Sequence, residues 1–79
     1  MRVKIRFFAF SRELAGIGEL EKTMPDGAML ADLRDALFET YPKLADISMR
    51  FAVNAVYAPL DQVLHEGDEV AYIPPVGGG

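Results

Sequence analysis

Only one long stretch of this chain has helical spacing, and that fact limits the fold more than any other. Between Met29 and Tyr41, Leu30, Leu33, Leu37 and Tyr41 recur on one side with Ala36 beside them. Asp32, Arg34, Asp35 and Glu39 fall on the opposite side. Pro42 stops the helix, because the residue before a proline is pushed out of the α region. A lone amphipathic helix has no second helix of its kind to cover its apolar stripe, so a sheet must do so. The start of this helix is irregular. Met29 stands where a capping hydroxyl is expected, an omission that costs about 1 kcal/mol unless Asp26 substitutes.

The remaining segments supply that sheet. Arg2-Val3-Lys4-Ile5-Arg6-Phe7 alternates strictly, which predicts a half-buried strand with Val3, Ile5 and Phe7 inward. Phe8 then continues the charged face. Ser11 to Gly16 reads as a short helical turn, with Ser11 as N-cap and Gly16 as the stop. Glu19 to Met24 alternates again and hairpins onto the first strand, and Pro25-Asp26-Gly27 is a turn. After the helix, Lys43 to Ser48 is a connector and Met49 to Val53 a third strand, followed by an Asn54-Ala55 turn. The segment Ala58 to Leu64 carries apolar residues expected to plug the lower edge of the core. His65-Glu66-Gly67-Asp68 is a tight turn in which Gly67 supplies φ > 0. Glu69 to Ile73 is the last strand.

The order strand, strand, helix, strand, strand makes the chain α+β, with a mixed sheet and one main helix packed on one face. With the first and last strands adjacent and parallel, this is the β-grasp, or ubiquitin-like, arrangement. It predicts a single β-grasp domain over residues 1–79, with 74–79 as a protruding tail.

Composition removes several kinds of chemistry. The 79 residues include no cysteine, which excludes a thiol nucleophile and any Cys-ligated metal or cluster. His65 is the one histidine and cannot build a metal site alone. A formal charge of −4 argues against nucleic acid, whose phosphates need a basic face, and suits a partner with a positive docking surface. With no apolar run of about 18 residues and no signal-peptide pattern, no membrane association and a cytoplasmic location are expected.

The ending is Pro74-Pro75-Val76-Gly77-Gly78-Gly79. Two prolines remove two backbone donors and stop the strand. Glycines offer no side chain to dock and are costly to order. The expectation is a flexible arm reaching at most about 20 Å beyond the sheet, thin enough for a narrow channel in another protein, with the Gly79 carboxylate as its reactive group.

These residues carry a resemblance. Phe7-Phe8-Ala9, Arg12-Glu13-Leu14, Asp26-Gly27-Ala28 before Ala31-Asp32-Leu33, Val53-Asn54, Leu64 to Val70 and the Pro-Pro-Val-x-Gly-Gly ending resemble the small, sulfur-carrying subunit of molybdopterin synthase, the MoaD family. The resemblance spans the chain and is most specific at the ending, where Gly78 and Gly79 match the paired glycines. Asn54-Ala55 departs from a more usual Asn-Gly, which predicts a turn looser than type I′, and Met29 departs from a usual Thr cap.

The resemblance implies that the chain is not catalytic alone and binds no cofactor. An adenylating activating enzyme (MoeB-like) would use ATP to convert the Gly79 carboxylate to an acyl-adenylate, which then becomes a thiocarboxylate. The large molybdopterin synthase subunit (MoaE-like), in a heterotetramer of two small and two large subunits, would receive the tail. There the sulfur passes to a cyclic pyranopterin monophosphate to form the molybdopterin dithiolene. Phe8, Tyr57 and Ile73, with Pro74, Pro75, Val76 and Gly77, would contact these partners. Strand parity independently places Phe8 and Ile73 together on the face away from the helix, where exposed apolar side chains suit docking.

Asp68 and Glu69 point opposite ways at a turn and read as a solvated pair rather than an acid–base couple. His65 reads as a surface turn residue. Arg12 and Glu13 read as a solvated face with a local ion pair of little weight. Other readings of the same fold are a thiamine-type sulfur carrier, a ubiquitin-like protein modifier, or an interaction domain with an inert tail.

Overall fold

The computed structural model describes residues 1–73; the expected tail, 74–79, lies outside the described residues. Its elements are β1 (Arg2–Phe7), α1 (Phe10–Ala15), β2 (Glu19–Thr23), α2 (Leu30–Thr40), a 3-10 turn (Pro42–Asp46), β3 (Arg50–Val53), β4 (Val56–Tyr57) and β5 (Glu69–Ile73). The strands form one sheet in the order β2-β1-β5-β3-β4. β1 and β5 run parallel at its centre, with Ile5 opposite Val70 and Phe7 opposite Tyr72. The other pairings are antiparallel. This is the mixed sheet and the β1–β5 neighbourhood that the chain order predicts.

One face of the sheet holds Val3, Ile5, Phe7, Val70, Tyr72, Phe51 and Val53, all buried, and Leu30, Leu33 and Leu37 of α2 complete the core with them. Tyr72 is central to this layer. Its ring lies 4.8 Å from that of Phe51 and 6.3 Å from that of Phe38. Its hydroxyl donates to the carbonyl of the fully buried Leu44 at 2.9 Å. The connector after α2 is thus tied to the last strand by a buried polar group that has its partner.

Five local expectations need correction. The helix start is not rescued by Asp26, which instead faces the N-terminal ammonium at 3.4 Å. Asp32 accepts from the Met29 N–H at 2.8 Å. The next two amides, Leu30 and Ala31, donate to the Gln62 and Leu60 carbonyls, each at 2.8 Å. A neighbouring loop therefore supplies the acceptors that a capping side chain would have provided.

The first helix begins two residues earlier than expected. Ala9, not Ser11, precedes it, and Ala9 sits at φ 54, ψ −133, a region costly for a residue with a Cβ. Ser11 lies within the helix and is completely buried. Gly16 does end it, at φ 79, with its N–H on the Arg12 carbonyl at 3.0 Å.

The Asn54-Ala55 turn is not loose. Both residues have positive φ, 49 and 71, as a type I′ hairpin requires, and the turn joins β3 directly to β4, a two-residue strand too short for alternation to reveal. Asn54 secures it from the side: Nδ2 donates to Asp68 at 2.9 Å and Oδ1 accepts from the Glu69 N–H at 3.0 Å. In the segment after β4, Leu64 plugs the core and half-buried Ala58 packs against it, while Leu60 and Val63 are exposed.

Candidate functional site: the outer sheet face and the end of β5

The face opposite α2 is built by parity. Lys4 and Arg6 of β1, Glu69, Ala71 and Ile73 of β5, Arg50 of β3 and Tyr57 of β4 share it, because their pairings run Lys4–Glu69, Arg6–Ala71, Ala71–Ala52, Ala52–Tyr57 and Ile73–Arg50. Phe8 and Ile73 each lie one residue beyond the Phe7–Tyr72 pair, so both stand at the end of the sheet from which the chain leaves toward Pro74. The Phe8 N–H still reaches the Tyr72 carbonyl, at 3.3 Å.

Phe8 is 42% exposed and Tyr57 38%. Ile73 is only half-buried rather than open, so its part in an apolar patch is smaller than the sequence suggested. The Arg50 guanidinium lies 4.2 Å from the centre of the Tyr57 ring, a cation–π contact. Arg6 sits between Glu19 at 3.4 Å and Glu69 at 3.3 Å. The face therefore offers apolar contact at Phe8, Tyr57 and Ile73, framed by two arginines that orient without walling it off.

Sequence reasoning did not include Arg50, although the alternation of Met49 to Val53 already placed it outward. It also passed over Phe10, which at 69% is the most exposed of the large apolar side chains among the described residues. The partner-contact residues Pro74, Pro75, Val76 and Gly77, and the reactive Gly78 and Gly79, lie outside the described residues.

The carboxylates have structural work. Asp68 accepts from Asn54 and from the His65 N–H at 2.8 Å, and Glu69 pairs with Arg6. His65 is exposed in its turn. No ion pair joins Arg12 to Glu13 among the described residues. Among the described residues no group of His, Asp and Glu is placed to hold a metal, and no helix is long and apolar enough to cross a membrane.

Residues 5–79 match the model of the ThiS family. The chain belongs to the ThiS family. The molybdopterin synthase sulfur carrier subunit of Chlamydomonas reinhardtii is 41% identical to this family member over 83 residues, covering all of both chains. SAMP1 from Haloferax volcanii superposes with a TM-score of 0.85 at 28% identity, covering all of both chains. Subunit 1 or 2 in the complex of molybdopterin-converting factor from Helicobacter pylori matches with a TM-score of 0.72 at 26% identity, again across all of both chains. These matches agree with the sheet order and single main helix of this ThiS-family chain.

Proposed function

We propose that this chain is the sulfur carrier subunit of a molybdopterin synthase, acting in complex with a large subunit and not as a catalyst by itself. The observation that carries the reading is the position of β5. It is the last strand and also the central one, held between β1 and β3, and it stops at Ile73. The double glycine thereby follows, in sequence, the middle strand of the sheet, with Phe8 beside that strand's end.

The chemistry follows from what a carboxylate lacks. It is a poor electrophile until one oxygen becomes part of a good leaving group. A Gly79 carboxylate oxygen attacks the α-phosphate of ATP on an adenylating partner, pyrophosphate departs, and a sulfur nucleophile then displaces AMP to leave a thiocarboxylate. In the large subunit this sulfur attacks a carbon of the cyclic pyranopterin monophosphate, displacing an oxygen substituent, and water then cleaves the acyl–sulfur bond, leaving the sulfur on the pterin and returning the Gly79 carboxylate. Two turnovers supply the two sulfurs of the dithiolene, consistent with an assembly of two small and two large subunits. The partners bring the acids, bases and cations, and this chain brings a docking face and a narrow acyl terminus. The cytoplasm, where ATP and the pterin are at hand, is the compartment that suits these steps.

A second reading is supported by the likeness to SAMP1, a protein whose relative from Methanosarcina acetivorans is described as a small archaeal modifier protein. The same adenylate could be captured by a lysine amine as an isopeptide, making the chain a modifier.

Intact-mass analysis of the chain from cells making molybdenum cofactor separates the two. The expected species is heavier by the difference between one sulfur and one oxygen at the C-terminus. Lysine-linked adducts with no thiocarboxylate would overturn the sulfur-carrier reading, as would restoration of molybdoenzyme activity by a chain lacking Gly79.

A further inference from the structure

Ser11 is the buried polar residue of the described chain, with no exposed surface at all. Its hydroxyl lies where β1 ends, α1 begins and β5 approaches Ile73. Oγ accepts from the Phe8 N–H at 3.0 Å and donates to the Phe8 carbonyl at 2.6 Å. The Tyr72 carbonyl lies 3.3 Å from the same oxygen. The chain between Phe8 and Ser11 passes through Ala9, whose positive φ leaves the bend dependent on what surrounds it.

A capping role does not account for this placement, because Ser11 is inside the helix and its oxygen faces backward onto β1 and β5. We propose that Ser11 is a positioning residue that fixes the backbone of Phe8 relative to the end of β5. One hydroxyl fixes the backbone of Phe8, which carries the docking side chain, and abuts the carbonyl of Tyr72, two residues before Pro74. The docking contact and the end of β5 are held in one frame, so a partner that engages Phe8 meets that end of the strand at a set offset. This inference rests on the sulfur-carrier reading and adds to it a residue that touches neither partner nor reacting atoms.

Without the hydroxyl, a docked carrier holds the end of β5 in that frame for a smaller fraction of the time. One hydrogen bond's net worth corresponds to about a fivefold change in such an equilibrium. The loss falls on turnover and leaves docking, which depends on the outer face, largely as it was.

The test is ATP–pyrophosphate exchange by the adenylating enzyme over a range of carrier concentrations, with folding followed by circular dichroism under the same conditions. For Ser11→Ala, kcat is expected to fall about three- to tenfold while the half-saturating concentration stays within about twofold. Ser11→Thr keeps the hydroxyl and is expected to keep kcat within about twofold of the unchanged chain. A folded Ser11→Ala chain with unchanged kcat overturns the inference. So does a fall in kcat that only tracks the unfolded fraction, a change confined to the half-saturating concentration, or a folded Thr variant as slow as the Ala variant. If the unchanged chain supports no exchange at all, the carrier reading fails first and takes this inference with it.

Discussion

Tyr72→Phe isolates one atom in the centre of the fold. The phenyl ring keeps its contacts with Phe51 and Phe38, so no cavity opens and the transfer of apolar surface is unchanged. What goes is the 2.9 Å hydrogen bond to the Leu44 carbonyl, and Leu44 has no exposed surface through which water could replace it. Loss of the bond with a buried acceptor left unpaired costs about 1–3 kcal/mol. In a domain of this size a central value of about 2 kcal/mol lowers Tm by roughly 10 °C.

A second signature comes from titration. Burial raises the Tyr72 pKa above its ordinary 10.0, because the charged phenolate is disfavoured in the core. Below that value both folded and unfolded chains keep the proton, and the contribution of the hydroxyl is fully present. As pH rises above 10.0 the unfolded chain releases the proton before the folded one, so stability is lost progressively through the folded pKa. Phenylalanine has no such proton. The stability gap between the two proteins, from urea denaturation, should therefore be widest at neutral pH and narrow toward about pH 11. A Tm difference below about 2 °C, or a gap constant across that range, would refute the assignment of Tyr72 as the buried tie between β5 and the connector.

The strained backbone gives the opposite sign. Ala9→Gly and Ala55→Gly each relieve a positive φ that costs a side chain about 1–2 kcal/mol, against roughly 0.5–1 kcal/mol of extra chain entropy for glycine. Both should raise the urea midpoint slightly, and a fall at both would show that the bends are not strained. On the outer face, Phe8→Glu should leave the melting curve nearly unchanged, because the ring is already open to solvent. It should weaken association with the large subunit at least about tenfold, measured by calorimetry, and unchanged affinity would remove Phe8 from the docking surface.

The elements that sequence made legible are those with a long enough period. Six alternating residues reveal β1, and Leu30, Leu33 and Leu37 with Pro42 reveal α2, because each pattern repeats enough times to be distinguished from chance. Their order already implied a mixed sheet with β1 beside β5, since one apolar stripe needs one sheet face. The outward parity of Phe8 was readable for the same reason. The two residues of β4 were not, and neither was the buried state of Ser11, which looks like an ordinary cap until α1 is seen to start at Phe10.

Sequence alone determined the fold class and the family, because both depend on local periodicity and on an ordered set of short motifs along one chain. Tertiary structure decided everything that depends on what lies across a gap in sequence. The amides at the start of α2 are satisfied by carbonyls about thirty residues away, and Asn54 is held in its turn by Asp68. A serine in the first helix is enclosed by the last strand. Hydrogen-bond partners are set by distance in space, and no pattern read along the chain contains that distance until the chain has folded.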